Sequence, residues 1–324
     1  MILAGDIGGT KTVLTLVKRG ENNTLDWQKE QTYASQDFAN FDDILADFIT
    51  PDIKVAAACF GVAGPVVNQR CQTTNLPWHL ATPDLQVKLA TRKVKLLNDL
   101  EAMALGMLHL PGTDLLELNP NTQEQSGNIA VIAAGTGLGE ALLYWDGNKH
   151  LPMATEGGHT DFAPQNAQQI ALLNYMMATF PEHVSCERLI SGIGFSHLYD
   201  FLLADGYAPA CSAIPAKSEG AVDRNALISE LGVTGADPLC SEAVKLFVQL
   251  YGAEAGNLAL KSLSIGGVYI GGGIAPKILS AITDGTFMKA FTAKGRFADL
   301  LGKMPVRVCL NPKAPLLGAA HYFD

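Results

Sequence analysis

No Cys-x-x-Cys pair occurs among the six cysteines of this 324-residue chain (Cys59, Cys71, Cys186, Cys211, Cys240 and Cys309). Their scatter argues against a disulfide framework and a zinc site, and fits reduced thiols acting as small core residues. Basic residues are in deficit. With 23 Lys and Arg against 32 Asp and Glu the net charge is −9, which leaves no footprint for nucleic acid. An acidic chain that binds phosphates must do so through local backbone dipoles and metal. Uncharged runs of bilayer-spanning length are also lacking, because Glu242, Lys245, Glu254 and Lys261 interrupt the apolar-rich region 239–273. The opening residues carry no basic segment, and Asp6 breaks their apolar run, so they read as a strand and not a signal peptide. These absences lead us to expect a cytoplasmic protein with no membrane or nucleic-acid partner.

What is present is apolar material: 48% of residues are hydrophobic and 17% charged, enough to fill substantial cores. At this length two lobes are expected. Residues 1–35 read as three antiparallel strands, and Phe41, Ile44, Leu45 and Phe48 give helical spacing over 38–49. Buried strands follow at 55–62 and 93–97. Thr82-Pro83 opens one helix as N-cap and first-turn residue, and 100–108 is another. After a polar stretch the pattern restarts with strands at 129–134 and 141–145 around a glycine turn. Asn166 and Gln169 form a capping box, Asp237-Pro238 opens a long helix, and a helix starts at Pro276. The strand, glycine turn, strand unit thus occurs near the start of each half, a weak architectural duplication. Strands alternate with helices and the class is α/β. The boundary falls in 109–127. A small domain of 1–110 plus about 301–324 accompanies a large domain of 111–300, the closing segment returning to the first lobe.

Three glycine-rich strand ends carry the chemistry. Gly5-Asp6-Ile7-Gly8-Gly9-Thr10 leaves backbone N–H groups for an anion and places a carboxylate where it could hold hydrated Mg²⁺. Ala134-Gly135-Thr136-Gly137-Leu138-Gly139 offers amides and a hydroxyl but no following Lys-Ser/Thr or helix, so it is neither a P-loop nor a Rossmann turn. Gly271-Gly272-Gly273 puts bare backbone where a flat ring and ribose could pass. Each of these also serves as an ordinary turn.

Asn98-Asp99 ends one strand and starts a helix, so one of the pair caps it and the other is available for ligand work. Glu156-Gly157-Gly158-His159 sets a carboxylate and an imidazole around two glycines, or is simply a loop. Glu187 stands in a first helical turn, where the macrodipole accounts for it equally well. Asn75 and Trp78 suit a sugar face or a loop anchor. The set fits a polyhydroxylated phosphoryl acceptor.

Together these segments, with Glu187-Arg188-Leu189-Ile190-Ser191-Gly192, Gly295-Arg296-Phe297 and Leu316-Leu317-Gly318, resemble the bacterial glucokinases in nearly the whole chain and in order. The resemblance implies two ribonuclease-H-like (actin-like ATPase) lobes with mixed sheets and an interlobe cleft. It implies ATP-dependent phosphorylation of glucose at the 6-hydroxyl, with ATP and Mg²⁺ as cofactors and a homodimer as the assembly. Asp99 is then the general base. Asn98, Glu156, His159, Glu187 and Asn75 bind the sugar, and Gly8, Gly9, Thr10, Gly135, Thr136 and Gly137 cradle the phosphates. Asp6 lies near Mg²⁺, through water, and Gly272 and Gly273 form the adenosine-side turn. A kinase for another hexose or an N-acetylhexosamine is the nearest alternative, and a non-catalytic sugar sensor of the same fold is the other. Three departures stand out. Lys11 replaces the usual Asn and is similar to the ROK group. Glu140 replaces an apolar residue and is expected to point away from the phosphates. Ile193 replaces a proline.

Overall fold

The structure is a computed structural model that describes residues 1–21, 24–120, 122, 124–216 and 223–323. The chain divides into two compact units. One comprises Met1–Asp114, Pro152–Ala154 and Asn311–Asp324; the other comprises Leu115–Leu151 and Thr155–Leu310. Residues 301–310, expected in the smaller unit, lie in the larger one. The strand Val306–Cys309 pairs in parallel with Gly267–Gly271 and antiparallel with Leu115–Glu117, and backbone pairing overrides sequence proximity to the last helix.

The first unit is built on a five-stranded mixed sheet. Leu25–Ala34, Lys11–Arg19 and Ile2–Ile7 run antiparallel in that order, and Ala57–Val62 and Val94–Asn98 continue parallel to Ile2–Ile7. Side chains alternate across the central strand. Leu3 and Ile7 join Phe41, Ile44, Phe48, Phe60 and Trp78 on one face, while Ala4 joins Ala102, Leu316 and Ala319 on the other. Helices Asp99–Met107 and Ala314–His321 cross at glycine contacts, since a Cβ on Gly106 would collide with Ala314 O and one on Gly318 with Ala102 O. Asn40 caps the helix Phe41–Phe48 by accepting from Asp43 N at 3.0 Å, which starts it three residues later than the periodicity suggested. Thr82 is not an N-cap. The helix Thr82–Lys88 has Ala81 in that place, and the Thr82 hydroxyl bonds Gln69 Oε1 at 3.3 Å instead.

The second unit repeats the plan. Its six-stranded sheet runs His150–Ala154 (of which residues 150–151 fall in this unit), Leu138–Trp145, Ile129–Ala134, Gly267–Gly271, Val306–Cys309, Leu115–Glu117. Ile129–Ala134 pairs antiparallel with the strand after its turn and parallel with Gly267–Gly271. In the first unit, Ile2–Ile7 has the same pair of neighbours. The long helix Pro238–Ser262 packs on this sheet, capped by Asp237, whose Oδ1 accepts from Cys240 N at 2.9 Å. Its buried Tyr251 hydroxyl accepts from Ala134 N and donates to Ile132 O, each at 3.2 Å. Asn166 caps Ala167–Met177, but Gln169 accepts from Gln165 N rather than Asn166 N, so the box is not reciprocal. After Gly273 the backbone makes turns, and the next helix is Leu279–Thr283, not one beginning at Pro276. Helices Gly192–Ala204, Arg224–Val233, Thr286–Thr292 and Ala298–Leu301 also belong to this unit.

Candidate functional site

In the first unit, three parallel strands end in register: Ile7 lies opposite Val62, and Val62 opposite Asn98. Ligands of α/β proteins bind at such carboxyl ends. Asp6 and Asp99 therefore belong to one sheet edge. Gly61, the register partner of Asp6, makes this possible, because a Cβ there would lie 2.8 Å from Ala102 Cβ and 3.7 Å from Asp99 Cα. Burial raises the proton affinity of the Asp6 carboxyl, and the Lys11 ammonium partly offsets this. The effect gives Lys11 an electrostatic role that its exposed position alone did not suggest.

Asn98 proves to be the helix cap. Its Oδ1 accepts from Leu100 N at 2.9 Å, Glu101 returns to Asn98 N at 2.9 Å, and its Nδ2 donates to Gly64 O at 3.1 Å. Asp99 Oδ1 also accepts from Leu100 N at 2.9 Å. The turn Gly8-Gly9-Thr10 is closed by Gly8 N donating to Lys11 O at 3.0 Å, and Ser35 ties its carbonyls down. Exposed Asn75 lies across it, since a Cβ on Gly9 would come within 2.8 Å of Asn75 Cβ. Trp78 is not a sugar platform. It is 1% exposed, donates its indole N–H to Phe38 O at 3.2 Å, and packs near Phe41.

In the second unit, the turn Gly135-Thr136-Gly137 is held by Gly135 N to Gly137 O and by Gly192 N to Gly135 O, each 2.8 Å. Glu187 Oε2 accepts from Leu138 N at 3.0 Å, and a Cβ on Gly137 would displace that oxygen. Glu187 thus fastens the turn to the segment before helix Gly192–Ala204. Glu156 and His159, both exposed, flank a short 3₁₀ turn in which His159 N donates to Glu156 O at 3.0 Å. Gly272 has a positive φ of 82° and sits against Ala134 O, where no side chain could go, whereas Gly273 faces open space.

A cavity of about 730 Å³ joins the second and third glycine turns: Gly135 and Thr136 line it with Gly192, Gly273 and Ile274. Its remaining wall holds Asp223, Asn225, Ser229, Glu230 and Lys277, which sequence reading missed. The one available signal was Asp223, which caps Arg224–Val233 by accepting from Asn225 N and Ala226 N at 3.1 Å. Another cavity, about 340 Å³ and lined by Phe41, Asp42, His79 and Lys88, contains none of the residues singled out.

Glu140 is buried at 2% exposure in the strand after the turn, with its carboxylate against Gly157. Among the described residues, Cys211, Asp237 and Cys240 are the only cluster that could hold a metal, and Asp237 already serves there as helix cap. The six cysteines are free thiols. No described helix is long and apolar enough to cross a membrane.

Paired units of this plan, with glycine turns beside strand-end carboxylates, define a sugar kinase of the actin-like ATPase fold. The glucokinase family model matches residues 3–324. A glucokinase from Nostoc sp. is 40% identical over 99% of this chain and 98% of its own length. A crystal structure of glucokinase from an Antarctic psychrotroph superposes with a TM-score of 0.86 at 30% identity, covering 98% of this chain and 97% of that one. A ROK family glucokinase from Streptomyces griseus, solved with glucose and AMPPNP, shares the fold at a TM-score of 0.63 and 21% identity, over 99% of this chain and 98% of that one. The chain belongs to the glucokinase family, enzymes that phosphorylate glucose with ATP.

Proposed function

We propose that Asp99 is the general base that takes the proton from the glucose 6-hydroxyl as the γ-phosphoryl group of ATP is transferred. The observation carrying this reading is the shared sheet edge of Asp6 and Asp99. A loose phosphoryl-transfer transition state needs alignment and charge neutralisation more than covalent help. An ordinary carboxylate can accept a hydroxyl proton late in such a step.

In this reading Asn75, Asn98, Glu156, His159 and Glu187 hold the remaining sugar hydroxyls. Asn98 does so with the amide N–H left after its bond to Gly64 O, and Glu187 with the oxygen not engaged by Leu138 N. Gly8, Gly9, Thr10, Gly135, Thr136 and Gly137 receive the phosphates. The cavity between the Gly135 and Gly273 turns is large enough for a nucleoside and supports Gly273 as its adenosine side, with Gly272 as the turn residue before it. Mg²⁺ would be held through water by Asp6, a fit supported by a carboxylate whose burial leaves its negative charge poorly solvated. When bound, the ion supplies charge neutralisation at the phosphates. The proposed setting is the cytoplasm and the proposed assembly a homodimer.

Asp99→Asn tests the assignment. Glucose binding by calorimetry should stay within about threefold of the parent while kcat falls by at least about 10²-fold. Retained turnover removes Asp99 from the role.

A further inference from the structure

Glu140 is a buried carboxylate that this mechanism leaves unused. It lies in the strand Leu138–Trp145 opposite Ile132, and its Oε1 has no hydrogen-bond partner. Its other oxygen, Oε2, abuts Gly157, where a Cβ would overlap it. Thr155 reinforces the same contact, donating its hydroxyl to Glu140 O at 2.9 Å and accepting from Gly157 N at 3.2 Å. The next residue, Gly158, rests so closely on Leu138 that a methyl would strike Leu138 O. The turn bearing Glu156 and His159 is therefore seated on the side chain of Glu140 and the backbone of Leu138.

The charged and titratable groups facing Glu140 are Glu254, Lys261 and Tyr251 of the long helix and Cys186 of the 3₁₀ turn Cys186–Arg188. None neutralises it by contact, and among the described residues Glu140 forms no ion pair. Glu254 spends Oε2 on Asn257 Nδ2 at 2.9 Å and Cys186 Sγ at 3.5 Å, and its Oε1 lies 3.6 Å from Lys261 Nζ. Lys294 is committed to Ala253 O and Asn257 Oδ1. An anion at Glu140 thus has no solvent, no bonded cation and another carboxylate nearby. Burial first, and Glu254 second, push its carboxyl up to about 7.

We propose that Glu140 is a positioning residue for the hexose site: its neutral carboxyl supports the Glu156–His159 turn, and ionisation unseats that turn and weakens sugar binding. The proposal rests on reading Glu156 and His159 as sugar ligands.

The test is glucose and ATP kinetics of the parent, Glu140→Gln, Glu140→Ala and Glu156→Gln across about pH 5.5 to 9. For the parent, glucose KM should rise at least about threefold from pH 6 to 8.5 while ATP KM stays level. Glu140→Gln, neutral throughout, should abolish that rise. Glu140→Ala should raise glucose KM at every pH with kcat within about twofold. A parent-like KM rise in Glu140→Gln, or effects confined to kcat or ATP KM, overturns the proposal. Gly157→Ala, alone and combined with Glu140→Ala, gives a second route if the amide variant fails to fold. Its KM penalty should shrink at least about threefold once the obstructing carboxylate is gone, and additive penalties overturn the contact. Glu156→Gln separates the two readings. An unchanged glucose KM there rejects the sugar site itself, and a raised one beside a parent-like Glu140→Gln profile rejects Glu140 alone.

Discussion

The two glycine turns share one hairpin plan but place their neighbouring carboxylates, half-buried Asp6 and buried Glu140, oppositely. Asp6 precedes its turn, ends a strand and has the Lys11 ammonium close enough to offset its burial. Glu140 follows its turn, lies inside a strand and has Glu254 adding to the cost of burial. In the proposed roles, the same fold element offers one carboxylate to a ligand and uses the other to support backbone. Position relative to the turn, not residue type, decides between these roles.

The comparison can be broken first at Asp6. Asp6→Asn should cut kcat by about 10²-fold or more, with the Mg²⁺ concentration for half-maximal rate rising, because the proposed charge-neutralising site loses its anchor. Equal losses of kcat from Asp6→Asn and Glu140→Gln would erase the distinction drawn here.

A smaller effect is expected from the second turn itself. Gly137→Ala forces a methyl into Glu187 Oε2, whereas Gly135→Ala meets nothing within 4 Å. Gly137→Ala should displace the end of the Glu187 side chain and lower stability by no more than its bond to Leu138 N, about 1 kcal/mol, and Gly135→Ala by less. Thermal unfolding of the pair checks this, and matching Tm values would show that Glu187 does not fix the turn.

A further effect is a stability change with pH. The folded-state proton affinity of Glu140 is raised from 4.5 to about 7, so the native state binds more protons than the unfolded chain within that window. Stability contributed at this site is therefore highest below pH 4.5, falls as pH rises and levels off above about 7. Glu140→Gln lacks this dependence. Its stability relative to the parent should improve by up to about 3 kcal/mol across the window, measurable by denaturant unfolding at several pH values. A constant difference would mean that Glu140 titrates normally.

Much of the local structure of the candidate site was legible because its signals are local. A strand ending in Asp6-x-Gly-Gly-Thr, the Asn98-Asp99 pair before a helix, and Gly135-Thr136-Gly137 between two strands follow from backbone freedom and strand spacing. The division of labour within Asn98-Asp99 was foreseeable only as a pair, and the hydrogen bonds then made Asn98 the cap. Trp78 and Glu187 were less legible. An indole or a carboxylate finds its partner through contacts 40 and 49 residues away, which no local pattern contains. Asp223, Asn225 and Lys277 escaped notice for another reason: the helix Arg224–Val233 buries only Ile228, and Lys277 lies in a turn.

By itself the sequence determined the α/β alternation, the repeated strand, glycine turn, strand unit and the chemical types available for phosphate and sugar. These depend on short-range sterics and on which side chains can ionise or hydrogen-bond. Tertiary structure alone decided that Gly135 and Gly273 line one cavity, that strand Val306–Cys309 stays in the larger unit, and that Glu140 lies under Gly157. Those outcomes come from long-range strand pairing and close packing, where the energy belongs to contacts between residues far apart in the chain.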